Sequence, residues 1–410
     1  MKNIAVVGAG ITGICTSFFL QKSGHKVTLI DHNGPGSMTS YGHACTFADY
    51  ACVPINSPKI IKNLPNLMFK SNSPLSFKIT YLINNLPWAI KFLKNCNKDK
   101  VEYVASSLMT LLNNARLEYD NIFKEVDVKQ YIKNNEVMYL YNTEKDYIAD
   151  KFSRELRKKN GIKFKELSKN EIRDIEPNIE PIYFSGILFE GSRYTINPKK
   201  ISDKIFQIFI ERGGHYLNKK VTSIEQTEKK VNIKSDNASF NFDEIVISAG
   251  AWSRKLALMV GDNFPLDTER GYHVLFDNNE KLISRPIGWS KSGFYIVQMD
   301  EGIRAAGTVE IAGLKAPPNP KRLKMIEQES RKLLPTLGAI KSTWLGFRPT
   351  LPDSMPVIGK STRNKNIFYA FGHQHIGWTL GAVTGKVLQY LLEDKMPNYD
   401  ISSFSPKRFK

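Results

Sequence analysis

Cysteine is scarce in this chain of 410 residues: Cys15, Cys45, Cys52 and Cys96 are the four present, and no two form a Cys-x-x-Cys pair. That spacing excludes a disulfide-stapled framework and the common zinc sites, so reduced thiols and no metal are expected. No apolar run is long enough to cross a bilayer, which excludes an integral membrane protein of the helical kind. Internal repeats and low-complexity linkers are absent as well. Arginine is thin, with 15 among 58 basic residues, so the net charge of +18 rests on lysines that travel with Asn and Ile along the whole chain. A phosphate groove is expected to cluster Arg among aromatics; an even spread of Lys reads as a solvated surface, and no nucleic-acid partner is expected.

What the chain has is glycine at a telling spacing. Residues 4–13 read Ile-Ala-Val-Val-Gly-Ala-Gly-Ile-Thr-Gly, and an apolar helical stretch leads on to Val27-Thr28-Leu29-Ile30-Asp31. Strand, glycine turn, helix and a second strand ending in a carboxylate make the βαβ unit that binds dinucleotides. Gly8 permits the tight turn, Gly10 lets the backbone approach a pyrophosphate at the helix start beside Ile11 and Thr12, and Gly13 lets helix and strand pack closely. Asp31, 18 positions beyond Gly13, suits a ribose hydroxyl, with His32 next to it. The run 4–20 after Lys2 mimics a signal peptide, but it lacks a small-residue cleavage site and its glycines sit at fingerprint spacing, so a cytoplasmic protein is expected.

Farther along, two halves thread through each other. Helical spacing over 101–126 puts Val104, Leu108, Leu111, Leu112, Ala115 and Tyr119 on one face, 136–141 reads as a strand and 146–159 as one polar helix. A helix over 198–212 leads to strands at 221–225 and 231–234. Residues 244–253 read as a buried parallel strand that delivers Ala249, Gly250 and Trp252 to a ligand at its carboxyl end. Residues 267–309 read as strands without crossover helices, hence an antiparallel sheet, and 320–334 as a helix. Over 59–100, eight lysines meet one acid, Asp99, among apolar residues that include Leu64, Leu67, Met68, Phe69 and Trp88. Two readings stand for that stretch: peripheral contact with the inner face of an anionic membrane, and a helical cover on a neighbouring domain.

The last quarter narrows the field. Residues 346–359 read Gly-Phe-Arg-Pro-Thr-Leu-Pro-Asp-Ser-Met-Pro-Val-Ile-Gly, a strand follows over 366–371, and Gly372-His373-Gln374-His375-Ile376-Gly377-Trp378-Thr379 opens a final helix. With the glycine fingerprint and 245–253, these blocks fall in an order that resembles the D-amino-acid oxidase superfamily of FAD-dependent amine oxidoreductases. Within it, the chain is most similar to bacterial D-amino-acid dehydrogenases of small-subunit type, over nearly its whole length. The resemblance implies an α/β fold. A Rossmann-like (GR2-type) FAD-binding domain of 1–58, 191–265 and 346–410 is interleaved with an α+β substrate domain of 59–190 and 266–345 built on an antiparallel sheet.

The resemblance also implies roles. Amides at Gly377, Trp378 and Thr379, at a helix start preceded by Gly372, face the O2/N1 side of the flavin, where a positive helix end stabilises the reduced anion. Gly377 and Gly381 permit close approach. The loop Thr39-Ser40-Tyr41-Gly42-His43-Ala44 lies against pyrophosphate and ring, and Val221 backs the adenine. Arg348 holds the substrate carboxylate, a two-pronged donor meeting a two-oxygen acceptor. Tyr272 and His273 reach the pocket over the flavin, and His375 and His373 are candidates for proton transfer because imidazole titrates near neutrality. His43 departs from the pattern: the dehydrogenases usually have Asn there, whereas Ser40-Tyr41-Gly42-His43 matches the spacing by which sarcosine and dimethylglycine dehydrogenases carry flavin covalently. The expected activity is FAD-dependent removal of a hydride from Cα of a D-amino acid or a secondary, cyclic amino acid. The product is an imino acid or 2-oxo acid, and the electrons go to a quinone or carrier protein. Alternatives are a sarcosine-, dimethylglycine- or hydroxyproline-type dehydrogenase, and a flavoprotein acting on modified tRNA, which would need positive charge concentrated at the pocket mouth.

Overall fold

The structure, a computed structural model, describes residues 1–61, 73–236, 238–278 and 280–410; Leu64, Leu67, Met68 and Phe69 of the basic stretch lie outside the described residues. The aliphatic runs form a six-stranded sheet in the order His215–Asn218, Lys26–Asp31, Asn3–Val7, Glu244–Ile247, Ile367–Phe371 and Val357–Lys360. Its strands are parallel except for the last pair. Side chains alternate across the pleat, and both faces are covered, which is why these strands read as continuous apolar runs. Ile4, Val6, Leu29 and Val246 face a helical layer that includes Ile11–Lys22, Pro198–Glu211 and Gly377–Leu392. Ala5, Val7, Ile30, Ile245 and Ile247 face the meander Ser223–Gln226, Val231–Ser235, Ala238–Phe242 and the helix Ser253–Met259.

Helix Lys98–Phe123 falls in the span assigned to the substrate half, yet its apolar face packs into the helical layer of the parallel sheet. This apolar face packs on the last helix, with the Tyr119 hydroxyl donating to the Trp378 carbonyl. Gly381 is small for the same reason. A Cβ there would press on the Tyr119 hydroxyl and Ile11, so its size serves helix packing and not the approach of a ligand.

The second sheet runs Ile340–Thr350, Asp267–Phe276, Gly302–Ile311, Phe294–Met299, Ile287–Trp289, Val137–Tyr141, Ser185–Phe189 and Phe164–Leu167, with Leu75–Phe77 paired beside Gly302–Ile311. It is antiparallel apart from two joins, Ile287–Trp289 with Val137–Tyr141 and Leu75–Phe77 with Gly302–Ile311, which link segments far apart in the chain. The polar helix over 146–159 is in fact two, Glu144–Ala149 and Lys151–Lys159. They break at Asp150, whose carboxylate accepts from the Tyr141 hydroxyl at 2.7 Å and is thereby held toward the sheet.

Candidate functional site

The carboxyl ends of the parallel strands, at Val7, Ile30 and Ser248, open into a cavity of about 570 Å³ that reaches across to the antiparallel sheet. Open α/β sheets bind ligands at this end. Gly8 has φ +112°, and a Cβ there would collide with the Ser248 backbone; a Cβ at Gly13 would sit on the Gly8 carbonyl oxygen. At Gly10 it would meet only Ser40 Oγ, at 3.4 Å, so no protein contact demands glycine there. Helix Ile11–Lys22 aims its N-terminus into the cavity, where Ile11 N–H donates to Ser40 Oγ at 2.9 Å. Asp31 braces the turn: Oδ2 accepts from Ala9 N–H at 2.7 Å and Oδ1 from Asn33 N–H at 2.8 Å. A carboxylate so engaged keeps lone pairs for a hydroxyl.

Gly8, Gly10, Ile11, Thr12, Asp31, His32, Thr39, Ser40, His43, Val221, Ala249, Gly250, Trp252, Arg348, His375, Gly377 and Trp378 all line this cavity, as does His373. Eight others singled out in the sequence, Tyr41 and Gly381 among them, do not. Gly13 and Gly372 serve the backbone, Gly372 with φ +86° and Leu351 where a Cβ would stand. Ala44 is half-buried at the end of the loop, and Thr379 Oγ1 accepts from Ala48 N–H at 2.9 Å. Tyr272 requires a correction: its hydroxyl donates to Glu310 at 2.5 Å and accepts from Asn319 N–H at 3.1 Å, on the far face of the sheet. The residue that faces the cavity is its neighbour Gly271, because side chains alternate along a strand. His273 is on the near face but buried beneath the loop, stacked on Trp344 at 5.2 Å with Nδ1 3.2 Å from the Gly42 carbonyl.

The histidines carry little charge here. Burial pushes His373 down to about 3, with Nε2 3.0 Å from Thr384 Oγ1. Burial and the Arg348 charge push His375 down to about 4, although the residue, which lines the cavity, is exposed. Neither ring titrates near neutrality, so that premise for proton transfer does not hold in this site. Burial, then Arg304, holds His43 well below the usual imidazole range. Its Nδ1 accepts from Cys45 N–H at 2.9 Å, which assigns the ring proton to Nε2, an atom without a partner. Arg304, fully buried, donates to the Tyr41 carbonyl at 2.7 Å and keeps this loop in place.

Residues 3–391 match the family described as DAO, FAD dependent oxidoreductase. The chain belongs to this family. It is 34% identical to a D-amino-acid oxidase of Bradyrhizobium diazoefficiens, with 100% of this chain and 99% of the relative covered. Identity is 25% to a D-amino acid dehydrogenase of Vibrio vulnificus, over 94% of this chain and 95% of that one. Among solved structures the fold is similar to glycine oxidase from Geobacillus kaustophilus, with TM-score 0.77, 19% identity and 99% and 98% of the two chains covered. It is also similar to L-proline dehydrogenase from P. horikoshii, with TM-score 0.74, 17% identity and 99% and 97% covered.

FAD is accordingly the cofactor of this DAO-family protein, and the residues present fit it. His43 Nε2, Gln374 Nε2 and Trp378 Nε1 are buried nitrogen atoms without partners, and all three residues line the cavity. Buried donors need acceptors, and an isoalloxazine ring offers several. Lys219, Lys220, Lys255 and Lys315 line the same cavity, where cations and the helix N-terminus complement a pyrophosphate. Sequence reasoning missed these lysines because an even spread along the chain gives no sign of convergence in space. It also missed Gln374, which holds φ +50°, a left-handed conformation that a non-glycine residue adopts only where its surroundings demand it.

Proposed function

We propose that the protein oxidises a D-amino acid or a secondary, cyclic amino acid at Cα. The observation that carries this is Arg348. Its guanidinium lines the cavity, donates to the Thr308 carbonyl at 2.7 Å, lies over Gly271 and makes no ion pair among the described residues. A half-buried cation that no described carboxylate contacts directly draws an anion to it, and an α-carboxylate matches its two-pronged donor. Bound FAD supplies the hydride acceptor. Arg348 holds the carboxylate and so orients Cα–H, while neutral His375 places no second cation near the amine. The amine enters uncharged, Cα loses a hydride and nitrogen a proton to water. The imino acid hydrolyses to a 2-oxo acid and ammonia, or stays a cyclic imine when the nitrogen is in a ring.

The names of the two sequence relatives support a D-configured substrate. The sarcosine- or dimethylglycine-type alternative rests on His43 as a flavin attachment point. With its proton on Nε2, a buried atom, and Nδ1 taken up by Cys45 N–H, that ring has no free lone pair for attack, which favours the D-amino-acid reading. For the electron acceptor we propose a quinone or carrier protein, reached at the inner face of the membrane. Exposed Ile61, Ile83, Leu86 and Ile90 accompany Lys59, Lys78, Lys91 and Lys94, a combination suited to an anionic lipid surface. The test is anaerobic bleaching of the flavin by a panel of D-amino acids, D-hydroxyproline, sarcosine and dimethylglycine, followed by reoxidation with a soluble quinone or with oxygen. Bleaching by D-amino acids and faster reoxidation by quinone are expected; bleaching by sarcosine or dimethylglycine alone overturns the reading.

A further inference from the structure

Glu269 stands directly opposite Arg348 in the register of strands Asp267–Phe276 and Ile340–Thr350. It is 1% exposed, and its Oε2 has no hydrogen-bond partner. It forms part of the wall of a second cavity, about 90 Å³, whose other lining residues, among them Leu82, Trp88, Phe92 and Val309, are apolar. Among the described residues the charged groups around it are few. Arg348 acts on it as a cation, Thr350 as a hydrogen-bond partner, and Asp267, two residues along the same strand, as a like charge. Asp267 is occupied, accepting from the Tyr81 hydroxyl at 2.8 Å with Arg254 nearby. Glu310 and Arg270 pair with each other on the opposite face of the sheet, at 3.2 Å. Among the described residues, helices Ile79–Asn84 and Leu86–Lys94 contribute apolar side chains to the cavity wall.

Resting on the reading of Arg348 as the carboxylate anchor, we infer that Glu269 is a positioning residue. It balances the Arg348 charge when the site is empty and takes up a proton when a ligand carboxylate occupies the guanidinium. Two carboxylates beside one guanidinium cannot both remain ionised without penalty, and the one walled by apolar side chains yields. The exchange balances simply. A ligand carboxylate and one proton from solvent enter, Glu269 becomes the neutral acid, and no other bond is made or broken. Burial, opposed by Arg348, lifts Glu269 to about 7, which brings this exchange into the neutral range. The sign follows. Below that value Glu269 already carries its proton and binding takes up none. Above it, binding draws in one proton and Kd rises by up to about tenfold per pH unit.

The experiment uses the FAD-loaded protein and propanoate, which has a carboxylate and no amine to titrate. Calorimetry in two buffers of different ionisation heat counts the protons taken up. Nearly one per propanoate is expected at about pH 8 and nearly none at about pH 5.5, as the linkage requires. In Glu269→Gln the uptake at the higher pH disappears and Kd loses its pH dependence. No uptake in the wild type, or full uptake retained in Glu269→Gln, overturns the inference; should the variant not fold, the two wild-type pH values decide alone. Arg348→Ala separates the two claims. If propanoate binds it as well as the wild type, or binds neither protein, the anchor reading fails and this inference with it. If binding requires Arg348 but draws in no proton, the role of Glu269 alone is wrong.

Discussion

Gly10 and Gly13 stand three residues apart in one turn, and the structure assigns them different duties. A side chain at Gly13 would meet the Gly8 carbonyl, so Gly13→Val is expected to impair folding, read as loss of soluble protein. A side chain at Gly10 would meet only Ser40 Oγ, so Gly10→Val is expected to keep its circular dichroism and lose its yellow colour, because the added bulk falls where the pyrophosphate must approach. A yellow Gly10→Val protein would contradict the assignment. At His43 the account predicts flavin entirely in the supernatant after acid precipitation, since Nε2 carries the proton. Flavin retained in the pellet, and lost from it in His43→Asn, would contradict that tautomer. The glycine turn and Asp31 could be placed at this cavity from the sequence because they belong to a local pattern with a mechanism of its own, and Arg348 from the resemblance that the block 346–359 carries. Tyr272 was misread because one residue of phase along a strand exchanges the two faces of a sheet. Trp344, Gln374 and the cavity lysines were not legible at all, since only the folded chain brings them together.

Elements were recovered where one face must be buried. The period of Val104, Leu108, Leu111, Ala115 and Tyr119 specifies a helix, but no periodicity says which sheet will cover it. The break at Asp150 and the parallel join of Ile287–Trp289 to Val137–Tyr141 depend on tertiary hydrogen bonds, which lie beyond local reasoning. Helices Ile79–Asn84 and Leu86–Lys94 bury Phe92 and expose Ile83, Leu86 and Ile90. If they meet lipid, the protein should sediment with anionic vesicles at low salt and be released as salt rises, because exposed charges are screened within about 8–10 Å near physiological ionic strength. Replacing Lys91 and Lys94 by Glu should weaken the association. Sedimentation that ignores both salt and these charges would leave the helices as a plain cover over the apolar cavity.

At the scale of the whole molecule, burial of imidazoles makes stability depend on pH. His273 and His373 are pushed down to about 3 and His375 to about 4, so these rings take up protons only on unfolding. Their stabilising effect is complete above the ordinary value of 6.5 and is lost progressively as pH falls from there toward the folded values of about 3 to 4. Glu269, raised from 4.5 to about 7, works in the opposite direction over part of that window, as do Asp49, Glu244 and Asp267, which burial also raises; against these four carboxyls stand five imidazoles, since His25 and His43 are lowered as well. The Tm is therefore expected to fall from about pH 6.5 toward 4.5, and a Tm that rises on acidification would contradict this. Catalysis is likewise a property of the assembled chain: the parallel sheet presents the glycine turn, and the antiparallel sheet carries Arg348 to the same cavity. The most direct measurement is anaerobic reduction of the flavin by the best D-amino acid of the panel, in the wild type and in Arg348→Ala. The account predicts a loss of about a hundredfold or more in kcat/KM with the flavin spectrum unchanged, on the order of 2–5 kcal/mol. Equal rates of flavin reduction in the two proteins would contradict it.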